Sequence, residues 1–143
     1  MVKIKEVYSE VHSIEKVDAS EGTEGIIYLN TAKIAHNNKD IAKALEFYLK
    51  AGEAGEAIGY YELAGIYCCG KEIDRDFAKA FEYFQKAAKM GDARAHHALG
   101  VFYEYGHDRA QDMAKAKEHY QQAAQMGDFI AQTALDRIAH KEH

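Results

Sequence analysis

The chain has 143 residues, enough for one domain that buries roughly two-thirds of its unfolded surface. Apolar residues make up 48% and charged residues 29%, as in soluble globular proteins, and no window approaches the roughly 20 apolar residues of a membrane span. The 18 basic against 23 acidic residues leave a net charge of -5, which argues against a nucleic-acid-binding domain and favours a basic partner.

The start, Met1-Val2-Lys3-Ile4-Lys5-Glu6, puts charges where a secretory signal would run apolar, so a cytoplasmic location is expected. Absence of proline and abundance of Ala, Lys, Glu and Gln favour helices throughout. In residues 1–23, Val7, Val11, Ile14 and Val17 have helical spacing, although their β-branching weakens the signal. A short N-terminal cap helix or partly ordered segment is predicted there.

From residue 24 onward the chain repeats itself. Segments starting at Asp40, Asp76 and Asp112 align without a gap at an offset of 36 residues. The second and third agree at 11 of 17 positions and the first and second at 8 of 17, too many for chance likeness between helices. Shared alanines (Ala44, Ala80, Ala116) let a neighbouring helix approach closely. The aromatic pairs Phe47-Tyr48, Tyr83-Phe84 and His119-Tyr120 fill space between layers. Gly91 and Gly127 suit a left-handed helix end, and Asp92 and Asp128 the N-cap of the next helix. A second helix type lies between, over 57–70 and 93–106, with Leu63/Leu99, Tyr67/Tyr103 and Gly70/Gly106 in phase. Each repeat is therefore a helical hairpin, with repeats at about 24–56, 57–92 and 93–128 and a capping helix at 129–141. That last helix keeps Ala131 and Leu135 but carries Asp136 where the repeats have Ala64 and Gly100.

The pattern Ala-x-x-x-Leu-Gly-x-x-Tyr-x-x-Gly, then Asp-x-x-Lys-Ala and a terminal Lys-Ala-Ala-x-x-Gly, resembles the Sel-one-like repeat (SLR) family, relatives of tetratricopeptide repeats, over about residues 24–141. The first hairpin has a turn three residues shorter (Asn37 to Asp40 against Gly70 to Asp76) and is closer to a tetratricopeptide repeat. The resemblance implies an all-α, right-handed superhelical solenoid of stacked antiparallel helix pairs, here about eight helices.

Catalytic and metal chemistry find little support. His96 and His97 are adjacent and point about 100° apart on a helix, so they do not chelate together. His140 and His143 have workable spacing but only Glu142 beside them. Cys68 and Cys69, the only cysteines, are poorly placed for an ordinary disulfide and form no Cys-x-x-Cys, which fits a reducing compartment and roles in packing or partner contact. There is no phosphate loop, nucleophile elbow or isolated carboxylate pair. No catalytic residue, metal ligand or cofactor is assigned. Met90 and Met126, in phase before Gly91 and Gly127, are expected in the core. Lys43, Lys79 and Lys115 are expected on a solvated face with Glu46, Glu82 and Glu118.

The resemblance places the first helix of each pair on the concave face, with outward positions at Ile58, Tyr61, Gly65, Cys68 and Cys69, then Arg94, His97, Val101, Glu104 and Tyr105, then Ile130, Thr133 and Arg137 in the cap. These vary while the packing slots stay constant, and their residue types are those of interface anchors with a polar rim. The function expected is non-catalytic protein binding through this groove by a monomer, with no nucleic acid or membrane partner. Two roles compete: a cognate immunity protein occluding a basic bacterial toxin domain, or an adaptor holding a peptide segment of a larger assembly. Some secreted SLR proteins, with a disulfide in each repeat, are linked to β-lactam binding or hydrolysis. This chain lacks that cysteine pattern, which leaves a β-lactam enzyme the weakest reading.

Overall fold

Five helices start on an aspartate whose side chain accepts backbone N–H groups of the first turn. Asp40, Asp76 and Asp112 take Lys43 N, Lys79 N and Lys115 N at 3.2, 3.0 and 3.0 Å. Asp92 and Asp128 take Arg94 N and Ile130 N, both at 2.9 Å. Each carboxylate satisfies donors that the helix itself leaves orphaned and sits at the positive end of its dipole. The stops are equally regular. Gly55, Gly91 and Gly127 have φ of 102°, 96° and 98°, where a β-carbon is strained. After them Glu56 N, Asp92 N and Asp128 N donate back to Ala51, Ala87 and Ala123 carbonyls at 2.9, 3.1 and 3.0 Å, so the same turn is built three times.

The computed structural model describes residues 21–142. Among these residues it has no strand and seven helices, α1 (Glu21–Asn37), α2 (Ile41–Glu53), α3 (Ala57–Cys69), α4 (Phe77–Lys89), α5 (Ala93–Tyr105), α6 (Met113–Gln125) and α7 (Phe129–Lys141). The all-α expectation holds, as do helix pairs in the expected register. The expected eighth helix, the N-terminal cap within 1–23, lies outside the described residues except where α1 reaches back to Glu21. The chain divides into two compact units, Met1–Gly59 and Tyr60–His143, with the boundary inside α3.

In the first unit, α1 and α2 pack together, burying Leu29, Ala32 and Ala35 with Ala44, Tyr48 and Ala51. Gly59 lets the start of α3 lie backbone to backbone on the end of α2, since a β-carbon there would fall 2.6 Å from Gly52 N and from Tyr48 O. On the outer side Tyr28 and Phe47 rings meet at 5.9 Å beneath the Lys50 ammonium.

In the second unit, α4, α5, α6 and α7 pack in succession. Alanines 80, 87, 95, 116, 123 and 131 are fully buried and permit close helix approach, while Leu63 and Leu99 fill the layers between. Burying each such leucine contributes about 2 kcal/mol. Phe81 and Phe84 close on Phe102 at 5.9 and 5.8 Å. Of each aromatic pair, the second member (Tyr48, Phe84, Tyr120) is buried and the first (Phe47, Tyr83, His119) is half-buried.

Two packing expectations are corrected. Met90 and Met126 are 39% and 45% exposed, because each is the C-cap residue and its side chain projects beyond the packed stripe. Glu46 and Glu82 pair with Lys50 and Lys86, each at 3.6 Å, and not with the lysines before them. Lys79 and Lys115 instead lie over the Tyr67 and Tyr103 rings at 5.2 and 5.4 Å.

Candidate functional site

The positions expected to face a partner do not share one environment. Ile58, in the first unit, is 36% exposed. In the second unit, Tyr61 of α3 packs its ring on Phe84 at 5.8 Å and carries the Arg94 guanidinium 4.0 Å above it. Arg94 is held there because its Nε and Nη2 donate to the Asp92 carboxylate at 3.3 and 3.1 Å, and Asp92 is itself fixed as the α5 cap. That carboxylate raises the Arg94 pKa, and burial pushes the Tyr61 hydroxyl up, so a cation resting on a neutral phenol ring is the state at physiological pH.

One helical step along, His97 is half-buried with its ring 5.6 Å from Tyr120. Tyr105 is 60% exposed, and Ile130 is 66% exposed at the start of α7. Thr133 is exposed and donates its hydroxyl to the Phe129 carbonyl at 3.0 Å. These side chains are open to a partner. Val101 is half-buried and packs on the cluster of Ala116, Tyr120, Ala123, Ala131, Ala134 and Ile138.

Glu104 and Cys68 are also corrected from open to buried. Glu104 retains only 4% exposure and receives three charge-assisted or phenolic hydrogen bonds: Tyr120 Oη at 2.8 Å, Arg137 Nη1 at 2.6 Å and Arg137 Nη2 at 2.8 Å. Arg137 foremost, and then the Tyr120 hydroxyl, hold the Glu104 carboxyl below the usual carboxylate range against the opposing effect of burial. Arg137 and Tyr120 are each raised in turn, Arg137 by this carboxylate and Tyr120 mainly by burial. The trio ties α5, α6 and α7 together and is structural. Its members occupy slots that in the preceding repeat hold Cys68, Phe84 and, in Arg137's case, Val101 one repeat earlier, so a joint change from apolar to polar was the signal that could have found it.

Cys68 is 8% exposed and Cys69 is exposed. Their sulfurs lie side by side at the end of α3 and, as neighbours in sequence, tie no distant segments together. Among the described residues no group of three or more His, Cys, Asp or Glu is placed to hold a metal ion. No described helix is long and apolar enough to cross a membrane. His143 of the expected His140–His143 pair lies outside the described residues.

The Sel1 repeat pattern matches residues 38–56, 57–92 and 93–128. Its start at Asn38 leaves α1 outside the match, in line with the short first turn. No curated protein matches the chain. Among solved structures, a Sel1 repeat protein from Oxalobacter formigenes superposes with a TM-score of 0.74 at 23% identity, over 91% of this chain and 97% of that one. Helicobacter pylori cysteine rich protein B gives 0.61 at 25%, over 65% and 70%. A protective antigen of uropathogenic Escherichia coli strains displaying an SLR fold, c5321, gives 0.75 at 23%, over 90% of this chain and 27% of that one. Proteins of this kind are generally protein–protein interaction modules, and typically non-catalytic. With its matched repeats covering most of its length on an all-α repeat solenoid, the chain belongs to the Sel1 repeat family.

Proposed function

We propose that the protein binds another protein, without catalysis, through the face on which Tyr61, Arg94, His97, Tyr105, Ile130 and Thr133 are presented. The observation that carries this reading is the exposure of Tyr105 and Ile130, 60% and 66%, on helices whose opposite stripes are fully buried. A large aromatic and a branched aliphatic side chain, together with a prepositioned guanidinium, are residue types of an interface anchor. The buried Glu104 and Cys68 lie behind the face.

Of the two roles, the peptide adaptor is favoured over immunity against a basic toxin. The chain's net charge of -5 would steer a basic partner, but two of the carboxylates behind this face are already engaged. Glu104 is consumed by Arg137 and Asp92 by Arg94 and the α5 cap. A partner segment bearing apolar side chains and acidic or uncharged polar ones fits such a face better.

The test is affinity capture from the source cells with the wild-type chain and a Tyr105→Ala/Ile130→Ser variant of matched thermal stability, followed by calorimetry on the purified partner. A stoichiometric partner lost in the variant is expected, with micromolar affinity that changes little with salt. Equal capture by both proteins overturns the face. A nanomolar, salt-sensitive complex with a basic protein would restore the immunity reading.

A further inference from the structure

In the second unit, the rings of Tyr60, Tyr83 and Tyr67 form a stack, with neighbouring centroids 6.0 and 6.1 Å apart. The next repeat builds the same trio with two exchanges: His96 stands in the slot of Tyr60 and His119 in that of Tyr83, while Tyr103 keeps the slot of Tyr67. Gln122 also replaces Lys86, whose ammonium lies 5.5 Å from the Tyr60 and Tyr83 ring centres, so that fixed cation has no counterpart over the imidazoles.

The exchange turns a stack of phenols into a pair of facing bases. His96 Nδ1 and His119 Nδ1 are 3.3 Å apart. Their ring centres are 5.5 Å apart with planes 29° from parallel. The centre separation exceeds the nitrogen separation by 2.2 Å, two ring radii, so the nitrogens point at each other along the line of centres. One hydrogen fits between them. A metal ion is not accommodated, because the two lone pairs oppose each other instead of converging on a third point.

We propose that His96 and His119 form a proton-operated clasp that ties α5 to α6 when neutral and is opened by mild acid. In the neutral pair one Nδ1–H donates and the other Nδ1 accepts. One added proton gives an imidazolium donating to an imidazole, still joined by a single hydrogen. A second places hydrogens on both facing nitrogens and two cations in contact, and the clasp must part. The unfolded chain imposes no such limit and takes up both protons near about pH 6.5.

The surrounding groups set the direction. Burial is the largest effect on both rings and opposes their charge. For His96, a hydrogen bond with the Ala88 carbonyl of α4 and the Asp92 carboxylate partly offset it. For His119, His96 itself and Lys115 oppose the charge while Glu118 favours it, and the Tyr103 ring lies parallel at 5.7 Å. Both imidazoles therefore hold protons less readily folded than unfolded. Such groups contribute stability that is complete above the unfolded value and is lost as pH falls through it, here between about pH 7.5 and 5.5.

The experiment is thermal unfolding of the full chain at pH 7.5 and 5.5 beside the His96→Tyr/His119→Tyr variant, which copies Tyr60 and Tyr83. The wild-type Tm is expected to fall by about 3–6 °C over this interval and that of the variant by clearly less. Equal falls place the acid sensitivity among the other histidines and overturn the clasp, as does a wild-type Tm that does not move. If the variant does not fold, nitrogen–proton correlation spectra of the wild-type imidazoles decide. A His96–His119 pair that takes up its second proton at lower pH than the other imidazoles supports the clasp, and eight imidazoles titrating together near about pH 6.5 overturn it.

Discussion

Glu104 is the charged side chain that the second unit buries, and a carboxylate at 4% exposure persists only because its oxygens are occupied by Arg137 and Tyr120. Arg137→Met removes two of the three hydrogen bonds and leaves the charge behind, which should destabilise the unit by about 1–3 kcal/mol in urea unfolding. Glu104→Leu/Arg137→Met, which removes the charge as well, is expected to recover part of that loss. Since the Glu104 pKa is lowered on folding, its contribution is present above the ordinary carboxylate range and disappears as pH drops below about 4. The double variant should flatten this acid limb of the stability curve. Gly100 gives a companion case: a β-carbon there would lie 2.6 Å from the Tyr120 ring, so Gly100→Ala should cost about 1–3 kcal/mol. Gly65→Ala, on a helix with nothing within 4 Å of the new carbon, should be neutral or stabilising by up to about 1 kcal/mol. Helical register assigns Glu104 and Arg137 to outward, partner-facing positions. It did not reveal that one is buried by the other, because slot counting assigns a face to a residue and not the neighbour that covers it.

Helices here are delimited by chemistry that acts within four residues, and that is why their bounds were readable. An aspartate cap needs only the N–H groups two and three residues on, and a terminal glycine needs only its own positive φ. Asp112→Ala should therefore lower stability by about 1 kcal/mol, with Asp112→Asn nearly silent, as measured by denaturant midpoints. Gly91→Ala, at φ 96°, should cost about as much through backbone strain. Longer side chains were less legible. A glutamate followed four residues later by lysine is the better-oriented pair, which explains why Glu46 and Glu82 turn toward Lys50 and Lys86 and leave Lys79 and Lys115 to lie over tyrosine rings. Met90 and Met126 were misplaced for a related reason. Identity of slot shows that two residues share an environment, and the environment of a C-cap is half open.

At the scale of the whole chain, a repeat makes its framework legible because each packing slot is stated three times, whereas a binding face is stated once. Ala44, Ala80 and Ala116 are all fully buried, as in-phase alanines require, while Ile58, Arg94 and Ile130 share one slot and have nothing chemical in common beyond being exposed. A solenoid unit couples chiefly to its sequence neighbours, so damage to a slot should be felt locally and in stability, and damage to the face only in binding. Ala116→Trp inserts an indole where α5, α6 and α7 converge and is expected to destabilise by about 1–3 kcal/mol or more, seen as a lower urea midpoint. Tyr105→Ala removes a ring that is 60% exposed and should leave that midpoint within about 0.5 kcal/mol while weakening the partner complex at least tenfold. A silent Ala116→Trp beside an unfolded Tyr105→Ala would mean that the buried and partner-facing sides of α5 and α6 are the reverse of those described.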